Sequence, residues 1–93
     1  MVQYRYPSNR LCPIVKAEET TVWRPVDNFA TLEVGDIVVA EPSEGVACGR
    51  LFFSVIHGID IHGWSIGDMS DPPRMYGYCE AEGIYGRLTD VFN

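Results

Sequence analysis

Residues Val55–Asp68 read VIHGIDIHGWSIGD. The run alternates apolar and polar residues, follows each of its two histidines, His57 and His62, with a glycine, and ends on a Gly-Asp pair. Alternation of period two sends successive side chains to opposite faces of a strand. Glycine tolerates positive φ and aspartate accepts from nearby backbone N–H groups, so both serve as turn residues. The stretch therefore reads as a strand, a turn carrying His62, and a second strand, Gly63–Asp68.

Outward from it, the same punctuation recurs. Pro7, Pro13, Pro25, Pro42, Pro72 and Pro73, with nine glycines, cut the chain into short pieces that show almost no helical periodicity. Gly35–Pro42, GDIVVAEP, starts at a Gly-Asp turn and continues as an apolar run, the pattern of a strand buried on both faces. Glu44–Ile61 follows a Pro-Ser-Glu-Gly turn as the second arm of a hairpin, Thr20–Arg24 is rich in β formers, and Arg10–Lys16 is a further short strand candidate. Met69–Tyr78 reads as a loop, because Pro72 and Pro73 cannot donate to a ladder. Gly83–Phe92 alternates again and is expected to close the sheet. One helical turn at most is expected, within Val26–Leu32, with Asp27 as its N-cap. The expected fold is all-β and mainly antiparallel, a small barrel-like or sandwich domain spanning 1–93, with residues 1–12 as a flexible N-terminal arm.

Composition agrees. Ninety-three residues make one domain, and 46% hydrophobic content suffices for a core. No apolar run approaches the ~20 residues that cross a bilayer, and MVQYRYPSNRLCP lacks a signal-peptide core, so a cytoplasmic protein without membrane contact is expected. Seven basic against thirteen acidic residues give a charge of −6, which repels phosphate backbones and argues against nucleic-acid binding. The balance is uneven: Arg5, Arg10, Lys16 and Arg24 precede residue 25, whereas the segment from Glu33 to Glu44 is acidic.

The chemistry-bearing residues are few. On a continuous strand, a spacing of five puts His57 and His62 on opposite faces, and a Cys48/His57/His62/Cys79 set matches no compact zinc pattern. No metal and no cofactor is expected. Cys12, Cys48 and Cys79, odd in number and widely spaced, read as thiols packed mostly as small hydrophobes. Arg74, Met75, Tyr76 and Tyr78 are residue types favoured at interface hot spots, set in a segment stiffened by two prolines. The alternative is that the tyrosines fold back to cover the sheet.

Four segments in order resemble the β-rich fold shared by type I signal peptidases and LexA-type self-cleaving repressors. Asp27–Val39, DNFATLEVGDIVV, falls on that family's serine box, close to S-M-x-P-T-L-x-x-G-D followed by an apolar strand, matching at Thr31, Leu32, Gly35, Asp36 and Ile37–Val39. VIHGIDI, IGDMSDPP and GIYGRLTDV then follow as the family's general-base strand, its G-D-x-N…D-P box and its closing strand, so the resemblance spans residues 27–91. It implies a serine nucleophile and a Lys or His base. Here Asp27 occupies the serine position and cannot act as the acyl acceptor that amide cleavage requires. His57 occupies the base position, with Gly58 where an arginine is expected.

The resemblance therefore implies a catalytically dead relative kept as a scaffold for binding another protein. Small acidic single-domain chains are common among bacteriophage accessory and host-inhibitory proteins, and by that association the expected role is inhibition or modulation of a host protein. Two alternatives stand beside it. One is a structural or assembly subunit, such as a virion accessory protein, that pairs with copies of itself through an exposed strand edge. The other is an atypical hydrolase using Asp27 with His57.

Overall fold

Ile37–Ala40 (β3) is the strand on which the architecture turns. The computed structural model describes residues 2–45 and 48–92. In it, Val38 and Ala40 enter one buried cluster with Leu32, Ile56, Trp64, Ile66, Cys79 and Ile84. Ile37 enters a second, with Tyr6, Leu11, Val15, Trp23 and Val55. Alternation along an unbroken apolar run thus buries both faces of one strand, as its sequence predicts. The preceding turn has the required chemistry: Gly35 sits at φ +98°, and Asp36 Oδ2 accepts from the Glu33 N–H at 2.9 Å.

The other strands are Val2–Arg5 (β1), Thr20–Arg24 (β2), Phe52–Ile59 (β4), Trp64–Gly67 (β5), Met75–Cys79 (β6) and Ile84–Phe92 (β7). All pair antiparallel in one seven-stranded sheet of order β1-β2-β7-β3-β4-β5-β6. The all-β antiparallel expectation holds, and helical structure among the described residues is confined to two 3-10 turns, Phe29–Thr31 and Ala81–Gly83. The sheet is rolled. β1 and β4 stand four places apart, about 19 Å in a flat sheet, yet the Tyr4 and Phe53 rings stack at 5.4 Å.

Several segments differ from their sequence reading, each for a local reason. Arg10–Lys16 is a pair of turns rather than a strand: Cys12 N–H bonds to Asn9 O at 3.1 Å, and Val15 N–H to Leu11 O at 3.0 Å. Leu11 and Val15, four residues apart, consequently share the side that enters the core. Within residues 1–12, expected as a flexible arm, the described part forms β1, whose side chains are exposed, and the turns that follow, in which Tyr6 and Leu11 are buried. The cap of the first 3-10 turn is Asn28, not Asp27, its Oδ1 accepting from the Ala30 N–H at 3.0 Å. β7 lies inside the sheet between β2 and β3 rather than closing it.

Met75–Tyr78 is not loop but part of β6, because Pro72 and Pro73 end before the strand begins. Its outer edge is covered at one point: Tyr78 N–H donates to Glu44 O at 2.9 Å, and Ser43 N–H to Tyr78 O at 2.9 Å. That crossing depends on Gly77, at φ +147°, where a Cβ would collide with the Glu44 carbonyl. Among the described residues, β1 presents the sheet's other edge without a strand beside it.

Candidate functional site

The strand ends define where a cleft forms. β4 begins, β5 ends and β6 begins on one side of the sheet, and there the β5–β6 loop faces the turns after β1. Between them lies a cavity of about 530 Å³ lined by Asn9, Arg10 and Cys12 from one wall, Asp68, Met69, Ser70 and Arg74 from the other, and Phe52 and Tyr76. A second lobe of about 250 Å³ shares Arg10, Phe52, Asp68 and Tyr76 and adds Tyr6, Leu11, Leu51 and Phe53.

Asp68 builds one wall. Its Oδ1 accepts from the Ser70 hydroxyl at 2.5 Å, the Arg74 N–H at 2.7 Å and the Ser70 N–H at 3.1 Å. The Ser70 hydroxyl bond, with the backbone bonds and Arg74, holds this carboxyl below the usual carboxylate range against the effect of desolvation. His57 supports the same wall from behind. The ladder passes from Ile56↔Ile66 to Gly58↔Ser65 and leaves His57 without a register partner. Such a bulge re-aims a side chain, and the His57 Nε2 lies 2.7 Å from the Asp68 carbonyl oxygen, to which its N–H donates.

The opposite wall is tied to the core below it. Asn9 Oδ1 accepts from the Ala17 N–H at 2.8 Å and from the Cys12 thiol at 3.5 Å, while Leu11 is buried. Between the walls, Phe52 and Tyr76 stack with centroids 4.6 Å apart. Burial raises the Tyr76 phenol's pKa and the Asp68 charge adds to it, whereas the positive charges of Arg10 and Arg74 oppose the rise. Both guanidiniums therefore act on the same ring. Ion pairs among the described residues join Arg5 to Glu18 at 2.8 Å and Arg87 to Asp36 at 2.9 Å; Arg10 and Arg74 have none.

The four residues singled out as a binding set separate. The ladder from Ile66↔Gly77 to Gly67↔Met75 skips Tyr76, and this second bulge turns Tyr76 toward Phe52, where it joins Arg74 in the cleft. Met75 and Tyr78 line a shallow surface with Glu44 and Ser65 instead. Tyr78 is further committed: its hydroxyl donates to Asp60 Oδ1 at 2.5 Å, and the same oxygen accepts from the His62 and Gly63 N–H groups at 2.7 and 3.0 Å. Desolvation and this bond push the Tyr78 phenol up to about 12, while the bond lowers the Asp60 carboxyl.

Among the described residues no hydrogen bond or ion pair joins Asp27 to His57. Asp27 is exposed between Val26 and Phe29, which pack against the Trp64 cluster, and His57 is bonded to the β5–β6 loop. The Cys48/His57/His62/Cys79 set disperses as well. His62 is exposed in the β4–β5 turn, Cys48 is exposed rather than packed, and Cys79 is fully buried, its thiol pushed up to about 11 by burial. Among the described residues no group of three or more His, Cys, Asp or Glu side chains could hold a metal ion, and no helix is long and apolar enough to cross a membrane.

Sequence reading missed Asn9, Arg10, Cys12, Phe52, Asp68 and Ser70 as members of one site. The available signals were the basic bias before residue 25 and the Gly67-Asp68 turn, but nothing local joins Arg10 to Arg74. Comparison of the chain with protein-family models, curated proteins and solved structures finds no match.

Proposed function

We propose that the chain is a non-catalytic protein-binding module, an inhibitor or modulator of a host protein of the kind phages encode, built on the signal peptidase/LexA-type fold. Its contact surface is the cleft between the N-terminal turns and the β5–β6 loop. The observation that carries this reading is the pair Arg10 and Arg74, two guanidiniums without ion-pair partners among the described residues, set around a stacked Phe52–Tyr76 pair. Arginine and tyrosine are the residue types that dominate interface energetics. The Asp68 bonds and the two prolines order the loop in advance, which lowers the entropy lost on binding.

The hydrolase alternative needs a nucleophile beside a base. Asp27 is exposed and makes no side-chain hydrogen bond among the described residues, and the His57 ring is bonded to the Asp68 carbonyl, which favours the binding reading. Arg10→Gln with Arg74→Gln is expected to abolish capture of a partner from host lysate at an unchanged melting temperature, while Asp27→Ala captures it as wild type does. A hydrolytic activity that Asp27→Ala or His57→Ala abolishes at an unchanged melting temperature supports the hydrolase.

The assembly-subunit reading has its own support. Beside the uncovered edge of β1 lies a groove of about 260 Å³ lined by Val2, Tyr4, Trp23, Val39, Phe53 and Tyr85, with Val2 62% and Tyr85 58% exposed. Such an edge next to apolar side chains is a template for strand pairing. Light scattering over a concentration series decides it: association that Val2→Lys reverses favours the subunit, and a monomer throughout excludes it.

A further inference from the structure

Resting on the binding reading above, we infer that the cleft recognises two adjacent side chains of its partner, one a carboxylate and the other aromatic or branched aliphatic. Its two lobes share Arg10, Phe52, Asp68 and Tyr76 and differ in the residues each adds. The larger offers the Arg10 and Arg74 guanidiniums together with the Asn9 and Ser70 side chains. The smaller adds Tyr6, Leu11, Leu51 and Phe53, three aromatic or leucine side chains and a tyrosine that is itself nearly buried. Phe52 and Tyr76 border both lobes, so a ligand that fills one lies against the other. The larger volume falls in the range of small-ligand pockets and the smaller lies just below it, which suits a pair of side chains rather than a helix or a folded surface.

Charge selects the anion. Asp68 lines both lobes and stays ionised, but its Oδ1 is already bonded to Ser70 and to the Arg74 N–H. Arg10 and Arg74 against Asp68 leave a single positive charge in the cleft. One negative charge matches it, whereas a phosphoryl group brings nearly two and would meet the Asp68 carboxylate. Carboxylate and guanidinium pair through two parallel hydrogen bonds, stronger than neutral ones. The chain as a whole carries −6, so acidic partners are repelled at long range. Recognition therefore depends on the local pair of arginines and on the apolar neighbour that fills the inner lobe.

The test is selection of random dodecapeptides, displayed on phage, against the immobilised full chain. Selected peptides are resynthesised with amidated C-termini and with free ones, so that an internal Asp or Glu is told apart from a terminal carboxylate. The expected outcome is enrichment of Asp or Glu next to Phe, Tyr, Trp, Leu or Ile. Replacing that acid by its amide, or its neighbour by alanine, weakens binding about tenfold or more. In the Arg10→Gln, Arg74→Gln protein the acid and the amide bind alike. Selected peptides without the pair, or discrimination that survives in the variant, overturn the inference. If such peptides still shift the resonances of cleft residues, the binding module itself stands. If they shift Val2, Tyr4 and Tyr85 instead, or if no peptide is selected, both fall.

Discussion

His57 and Tyr76 owe their roles to the same device, a bulge that frees one residue from the alternation of its strand. The first aims an imidazole at the Asp68 carbonyl, and the second turns a phenol onto Phe52. Neither bulge has a sequence mark beyond a following glycine, Gly58 or Gly77, and glycines are too frequent in this chain to single them out. Tyr78, left on the regular ladder, gives a residue-scale prediction. Its phenol, bonded to Asp60, keeps its proton up to about pH 12, whereas the ordinary value is 10.0. A group whose pKa is raised by folding stabilises fully below its unfolded value and loses that contribution as pH rises through the folded one. Tyr78→Phe should therefore melt below wild type at neutral pH, and the gap should close between pH 10 and 12. Melting curves of both proteins over that range check it, and a constant gap contradicts the role given to the bond.

The elements that were legible are those whose pattern is set by burial. The run Ile37–Ala40 lies between two clusters and has no polar face, and Thr20–Arg24 is a strand with the limits its β formers suggest. Illegible elements are those fixed by distant backbone. β6 was hidden by Pro72 and Pro73, which belong to the loop before it, and by a need for glycine that arises only where Glu44 crosses. Gly77→Ala should consequently destabilise the protein by about 2–3 kcal/mol, through strain at positive φ and loss of the Glu44 crossing. Gly35→Ala has the strain but open space around its Cβ, and should cost less. Chemical denaturation ranks the two, and an equal or reversed order contradicts the crossing as the cause.

At the scale of the whole molecule, the fold class follows from punctuation and composition, but the site does not. Its walls come from the turns at Asn9–Cys12 and the loop at Asp68–Arg74, which meet only because the sheet rolls far enough for Tyr4 to reach Phe53. Rolling is a property of seven strands together, and no window of sequence contains it. The basic bias of the N-terminal segment was visible, yet its meaning depended on which loop lay opposite. The cleft's integrity also rests on Asp68, whose folded pKa is depressed, so its contribution is present above the ordinary value of 3.8 and is lost as pH falls below it. Asp68→Ala should weaken the loop by about 1 kcal/mol at neutral pH and remove that acid sensitivity.

The most direct test of the binding cleft is a nuclear magnetic resonance titration of the labelled full chain with a bound peptide or partner segment. The largest amide shifts are predicted at Asn9–Cys12, Phe52 and Ser70–Tyr76, with Asp27 and the strand β1 unaffected. Shifts centred on Val2, Tyr4 and Tyr85, or on Asp27, with the cleft residues silent, would contradict it.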